Sequence, residues 1–475
     1  MYNKFMELML PNILILLLGI SLGLVAGMLP GVGNVVVLML VYPFITDYSL
    51  FQIILFYLCL AGAAQYTGSV VATTLAVPGE TSSLPAVKEG HRMFRNGRGH
   101  YAISNSAIGS FVGSGIASMI MLAVLPIAVL GIAKFYNTHT QVVILCVVSV
   151  FLIVTYGDQK WYVNLGLFAF GWMLSRVGFN KELMSYNFDS VINYETFYYL
   201  HFGLPLYPVV IGLFVFPIFL KSWDSSRPDA SALDKLWDNK FIQHIKEYCK
   251  HIGSSIRGTL VGSICGLVPH LTATLASNVA YVLEMGRQKK KNQYNENGDI
   301  KSLVSAETAN NAAGLTQLTP LLLIGIPITT SEAIILNIIE NNMEVINWTT
   351  TIQTGMFSQL LLYFVLMNFI CVLAAWPFAK YLHVIFKLDP KLLYAMTFLV
   401  LVVLVYYLGD MRQQGMFYLY VLLLLLPIGA MLCRWDTLIL VFAFVLQGQI
   451  EPGITRLFFI YSHWIDSTPL SQIIP

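Results

Sequence analysis

The stretch "AETANNAAGLTQLTPLLLIGIPITTSEAIILN", residues 306–337, decides how the rest of the chain is read. It is long enough to cross a bilayer, which takes about 20 residues in a helix. Yet it opens on Glu307, Asn310 and Asn311, passes Pro320, Gly325 and Pro327, and closes on a second acid, Glu332. Positions three and four apart share one helix face, so the first acid and the paired amides form one polar patch. In lipid a carboxylate or an unsatisfied backbone group costs several kcal/mol, so such a segment survives only inside protein or beside a wet cavity.

The chain around it is oily. Of 475 residues, 57% are hydrophobic and only 11% charged, with a mean hydropathy of +0.69. A soluble domain carries roughly 25% charged residues. The class is therefore an all-α polytopic membrane protein with about 10–14 membrane segments. The six cysteines form no close pair and most sit in apolar runs, which reads as buried free thiols rather than a disulfide or zinc framework. "LPNILILLLGISLGLVAGML" (10–29) continues into more apolar sequence without a clear cleavage site and reads as a first span.

Clear apolar spans cover 103–133, 141–156, 161–177 and 202–220 in the first half. The second half has 353–377, 393–408, 415–432 and 437–450. The early part of each half, near 9–86 and 253–339, is apolar but broken by Pro and Gly. Basic residues crowd into 88–100, 287–301 and the polar stretch 221–257, which places these on the cytoplasmic side; "ITDYSL" (45–50) and "ENNMEVINW" (340–348) lack Lys and Arg and fit the outside.

Three short matches relate the halves. Gly23, Gly27 and Pro30 match Gly262, Gly266 and Pro269; Pro78, Thr81 and Ser82 match Pro327, Thr330 and Ser331; Gly157-Asp158 matches Gly409-Asp410. The offsets rise from 239 (269 − 30) through 249 (327 − 78) to 252 (410 − 158). Matched loops differ in charge: 45–50 is non-basic where 285–305 is basic, and 88–100 is basic where 340–348 is acidic. That predicts an inverted-topology repeat with broken helices or re-entrant hairpins, the architecture of many secondary transporters. The expected organisation is a first transmembrane repeat (1–220), a polar cytoplasmic linker (221–257) and an inverted second repeat (258–475).

Each repeat carries two breaks: 27–36 and 73–85 in the first, 266–278 and 322–333 in the second. Helix N-termini at such breaks offer free N–H groups and a partial positive charge, which suit an anion. The candidate substrate-binding residues are Pro30, Gly31, Gly33, Asn34, Pro78, Gly79, Thr81, Ser82, Pro269, His270, Thr272, Pro327, Thr330 and Ser331. The candidate ion-coupling residues are Glu80, Glu307, Asn310, Asn311 and Glu332, with a possible Na⁺ held near Asn310 and Asn311 through their carbonyl oxygens. No other cofactor is expected, nor a nucleic-acid partner.

These residues also carry a resemblance. "PGVG" (30–33), the Tyr66-Thr67-Gly68-Ser69 segment leading to Pro78-Gly79, the basic loop "KEGHRMFRNGRG" (88–99) and E-x-A-N-N-A-A followed by P-L-L-x-x-G-I-P (307–327) resemble the large membrane subunit of the tripartite tricarboxylate transporters. The chain differs from that family at His270 and Thr272, where glycines are usual, at Ala76-Val77 in place of Asn-Thr, and at Ile328 in place of Gly. The resemblance implies uptake of a small organic anion, a di- or tricarboxylate, driven by Na⁺ or H⁺ across a prokaryotic inner membrane. It also implies a small four-span membrane subunit and a periplasmic substrate-binding protein. The alternatives are a stand-alone carrier for another small solute and a non-transporting membrane scaffold. An intramembrane hydrolase would need Asp158 and Asp410 to meet, and span ends on opposite sides do not; the chain also lacks G-x-x-x-x-G-K-[ST], H-E-x-x-H and G-x-S-x-G, so no enzyme is expected.

Overall fold

The structure is a computed structural model. It describes residues 2–28, 34–45, 47–76, 80–135, 138–155, 159–180, 185–187, 200–201, 203–223, 241–267, 273–324, 327, 329–341, 355–385, 390–410 and 414–467. In chain order the helices of the first half are α1 (Tyr2–Met28), α2 (Asn34–Ile45), α3 (Leu50–Leu75), α4 (Gly99–Phe135), α5 (Thr138–Thr155), α6 (Trp161–Ser175) and α7 (206–222). Those of the second half are α8 (Phe241–Tyr248), α9 (Ile252–Leu267), α10 (Ala273–Lys290), α11 (Ile300–Thr316), α12 (Leu318–Ile324), α13 (Thr330–Asn341), α14 (Met356–Ile385), α15 (Pro390–Asp410), α16 (Gly415–Leu432) and α17 (Leu438–Ser467). Helical turns over 81–98 lead into α4. One antiparallel ribbon, β1 (Gly178–Asn180) with β2 (Ser185–Asn187), is the sole sheet among the described residues. The eight spans expected from hydropathy all coincide with helices, and among the described residues five helical segments are long and apolar enough to cross a membrane.

The chain forms two compact units, and each draws on both halves of the sequence. The first comprises 1–128 and 222–397, the second 129–221 and 398–475.

In the first unit α1 lies along α3, and α9 lies along α11. Glycines make both contacts. A methyl group on Gly23 or Gly27 would run into the Leu60 or Ala64 carbonyl, and one on Gly262 or Gly266 into the backbone of Ala309 or Ala313. Gly19 rests on Cys59 and Gly258 on Thr308, while Gly27 also meets Thr67 and Gly266 meets Thr316. The glycines of the two pairs are 239 apart (262 − 23) and the residues they meet 249 apart (309 − 60), so both helix pairs pack through the same positions. Lipid tails are as apolar as Leu, so close backbone approach through small residues drives such pairs. On the opposite side of α1, Leu10, Leu14, Leu17 and Leu18 are exposed, as befits a lipid-facing stripe, while Leu16, Ile20 and Leu24 are buried.

Local signals set the helix ends. The Ser49 N–H donates to Gln52 Oε1 at the start of α3 (3.2 Å). Asp299 caps α11 by accepting from the Ser302 N–H (2.8 Å). Thr329 and Glu332 close a reciprocal capping box on α13, with Thr329 N–H donating to Glu332 Oε2 (3.0 Å) and Glu332 N–H to Thr329 Oγ1 (3.2 Å).

The second unit is built on α17 against α5 and α6, and on α7 against α16. Gly171 admits the Leu440 carbonyl and Gly429 the Gly212 carbonyl. One expectation is corrected. Cys59 and Cys371 are buried, but Cys146, Cys265 and Cys433 are half-buried and Cys249 is exposed, all as free thiols. An apolar neighbourhood in a membrane helix marks a lipid-facing surface as readily as an interior one.

Candidate functional site

The centre of the first unit is α11, buried along almost its entire length: every residue from Ser302 to Ala313 is sequestered. Its composition makes this necessary. Glu307, Thr308, Asn310 and Asn311 could not face lipid, and α9, α10, α3 and the 86–90 turn surround them.

Glu307 is 2% exposed. The Ser69 hydroxyl of α3 lies 2.9 and 2.8 Å from its two carboxyl oxygens, and Ser106 of α4 stands close by. No Lys or Arg among the described residues pairs with this carboxyl. One turn further on, the Asn311 amide donates to the Glu307 carbonyl (3.3 Å), and its Oδ1 has no partner among the described residues. Asn310, 1% exposed, has neither its Nδ2 nor its Oδ1 satisfied among the described residues. Buried polar groups in proteins are nearly always partnered, and each orphan costs about 1–3 kcal/mol. One carboxylate and two amide oxygens on one helix face are hard-oxygen donors of the kind an alkali cation takes. The residues present therefore fit a Na⁺.

Beside this patch, Tyr66, Ser69, Ser106 and Ser110 border a cavity of about 10 Å³ that also touches Val70 and Ile103. That is room for about one water. A second buried network adjoins the same helices: Tyr66 Oη (2.8 Å) and Ser114 Oγ (2.7 Å) both donate to Asn368 Oδ1 of α14.

Glu80 lies over Gly68, where a side chain on that glycine would press on it, and it stands beside Asn34 and Ser82. Ser82 is buried; its carbonyl accepts from Ser277 of α10 (2.9 Å). The glycine of the Tyr66–Ser69 segment thus makes space for one acid, and the next residue hydrogen-bonds another. Glu332 is engaged in its capping box, and Pro327 and Ser331 beside it are buried. Thr81 and Thr330 begin their helical turns. Pro30, Gly31, Gly33, Pro78, Gly79, Pro269, His270 and Thr272 lie outside the described residues.

The two basic loops meet at one end of the unit. Buried Glu89 accepts from Tyr281 Oη (2.7 Å), Tyr294 Oη (2.9 Å) and the Asp299 N–H (2.8 Å). Asn96 reaches the Asn297 carbonyl (3.3 Å). Burial pushes the Asp299 carboxyl above its ordinary range, against the pull of its Ser302 bonds.

Ser106, Ser110, Ser114 and Asn368 join the site from outside the sequence motifs. A signal was present: serines at 106, 110, 114 and 118 recur every fourth residue within a predicted span, which puts them on one helix face. Asn368 is the sole amide in the interior of its span, 353–377, beyond Gln353 and Gln359 near its edge.

Comparison with known proteins matches most of the chain to one family. Residues 13–442 match the model of the tripartite tricarboxylate transporter TctA family. An uncharacterised 52.8 kDa protein of the TAR-I ttuC' 3' region of Agrobacterium vitis is 29% identical over 324 residues, covering 66% of this chain and 61% of that protein. The chain thus spans somewhat under two thirds of that relative's length in the matched region. No solved structure matches.

Proposed function

The chain belongs to the tripartite tricarboxylate transporter TctA family, and from that premise we propose that it is the permease subunit of a secondary transporter that imports a small organic anion, a di- or tricarboxylate. The family is one of transporters, not an enzyme class, and the apolar helices make the chain a multi-pass membrane protein. The finer reading places it in a prokaryotic inner membrane. There it works with a small four-span membrane subunit and receives substrate from a periplasmic binding protein.

The observation that carries the reading is Glu307: a buried carboxyl with no cationic partner among the described residues, on the same helix face as amides whose carbonyl oxygens have no partner among the described residues. A carboxylate is stable there only with a positive charge at hand. H⁺ on Glu307, or Na⁺ held by Glu307, Asn310 and Asn311, supplies it, and either ties the state of the site to an ion gradient. The helix breaks then serve the anion. Their N–H groups and the hydroxyls of Thr81, Ser82, Thr330 and Ser331 offer donors without a buried full charge. The matched packing of α1 on α3 and of α9 on α11 supports the internal repeat on which alternating access would rest.

The test is uptake of radiolabelled citrate and succinate by cells expressing the chain with and without the two partner subunits. Uptake that needs all three and collapses when the H⁺ or Na⁺ gradient is dissipated is the expected result. The Asn310→Ala/Asn311→Ala double variant should lose at least about tenfold, the worth of one hydrogen bond to a charged group. Uptake indifferent to both gradients would overturn the reading.

A further inference from the structure

A separate groove lies away from this site. It lies between α9 and α10, has a volume of about 860 Å³, and is bordered by none of Asn34, Glu80, Ser82, Glu307, Asn310 or Asn311. Its walls are apolar and open: Leu260 is 48% exposed, Val282 56% and Leu283 59%. Its floor near Gly286 is open space, with nothing within 4 Å of where a side chain would begin.

One end is charged. Arg257, Arg287, Lys290 and Lys291 border the groove, and Glu284 is the one acid there. Glu284 is already taken: Arg257 holds it through Nε (2.8 Å) and Nη2 (2.7 Å), with Ser254 and Gln288 donating as well. Arg287, Lys290 and Lys291 form no ion pair among the described residues. Arg287 and Lys290 sit in the last turn of α10, and Lys291, four residues after Arg287, follows it directly. That turn runs into the polar segment 291–299, which is pinned to the other basic loop through Tyr294 and Asn297. The basic end therefore adjoins this polar loop, and the apolar walls lie along the helices away from it. By its charge this is the cytoplasmic end, where the leaflet is anionic.

We propose that this groove binds an anionic phospholipid, with the phosphate on Arg287, Lys290 and Lys291 and the acyl chains along Leu260, Val282 and Leu283. Three unneutralised cations converge on one headgroup, and phosphate takes several charge-assisted donors at once. The walls select the source of the phosphate: a hydrated anion gains nothing from Leu and Val, whereas acyl chains fill the groove and cover them. A partner's transmembrane helix would cover the walls but leave the three cations unmatched.

The test uses the purified full-length chain and native mass spectrometry, with phosphatidylglycerol and phosphatidylcholine of matched acyl chains. Wild type should retain phosphatidylglycerol in preference. The Arg287→Gln/Lys290→Gln/Lys291→Gln variant should lose that preference by on the order of a hundredfold, from about fivefold per charge. Lys289→Gln, whose ammonium sits over the Tyr294 ring outside the groove, should leave the preference intact and shows that general surface charge is not the cause. Glycerol 3-phosphate should not displace the lipid. A photo-crosslinker replacing Val282 should capture lipid in native membranes. Equal retention of the two lipids, full retention by the triple variant, displacement by free headgroup, or capture of a protein at Val282 would each overturn the proposal. The positions are on the surface, so an unchanged melting temperature identifies the triple variant as folded; should it not fold, the Val282 crosslink decides alone.

Discussion

Single residues in this protein sort by what their polar atoms touch. Glu307 and Glu332 are both buried acids in a broken membrane segment, but their surroundings differ. Glu332 closes a capping box, whereas Glu307 meets one serine hydroxyl across a helix interface. Glu307→Gln keeps the shape and removes the charge, so the folded protein should reach the membrane at normal levels. If Glu307 carries the proton, uptake loses its pH dependence; if it ligates Na⁺, the Na⁺ concentration for half-maximal uptake rises at least about tenfold, from the loss of one charged contact. Unchanged dependence on both ions would remove Glu307 from coupling. Ala76 raises a separate matter. It ends α3 with φ of 57°, a left-handed conformation that costs a residue with Cβ about 1–2 kcal/mol. Ala76→Gly should therefore stabilise the protein by about 1 kcal/mol, read as a higher melting temperature in detergent. A fall would mean that the strain is absent.

At the level of the helices, small residues decide what packs. The α9–α11 pair closes because Gly262 has no side chain to strike Ala309. Gly262→Leu should force the helices apart and cost about 3 kcal/mol or more, as overpacking does. Lower yield and melting temperature would register it, and uptake should fall with them because Asn310 sits next to the displaced residue. Gly115→Leu in α4 is the matched control, since nothing lies within 4 Å of a side chain there. Equal effects of the two substitutions would show that close approach is not what holds the pair. The same comparison exposes an asymmetry between the pairs. At the offset of 249 (307 − 58), Glu307, Asn310 and Asn311 correspond to Leu58, Ala61 and Gly62. The two pairs share a packing scheme, but only the second carries the polar patch.

For the molecule as a whole, the contact between the basic loops bears on topology. Asn96 touches Asn297, and Glu89 ties residues 281, 294 and 299 to the 86–98 segment, so these two loops share one side of the membrane. Cysteines replacing Asn96 and Asn297 in a cysteine-free background should crosslink readily. Single cysteines replacing Asn96 and Asn292 should react with an impermeant reagent only from the cytoplasm, and one replacing Asn342 only from outside. Labelling of Asn292 and Asn342 from the same face would defeat the inverted repeat that the loop charges imply.

Membrane class, the main spans and the polar patch of 307–311 were legible in the sequence, because each is set by local composition. A bilayer imposes a length on apolar runs, and an i, i+3, i+4 spacing places side chains on one helix face whatever the helix packs against. The glycine register was legible in part, as three short matches. Which residues face those glycines was not, since that depends on how two helices slide and rotate together. The partners of Glu307 were hidden for the same reason: Ser69 lies 238 residues away in the chain, and nothing near 307 specifies it. Glu332 shows the converse. Its partner Thr329 is only three residues away, so the cap follows from a local T-x-x-E spacing. Apolar runs also look alike whether they face lipid or protein. The burial of α11, the partners of the serine face of α4 and the open groove of α10 were therefore decided by tertiary packing, which sets what each side chain has beside it.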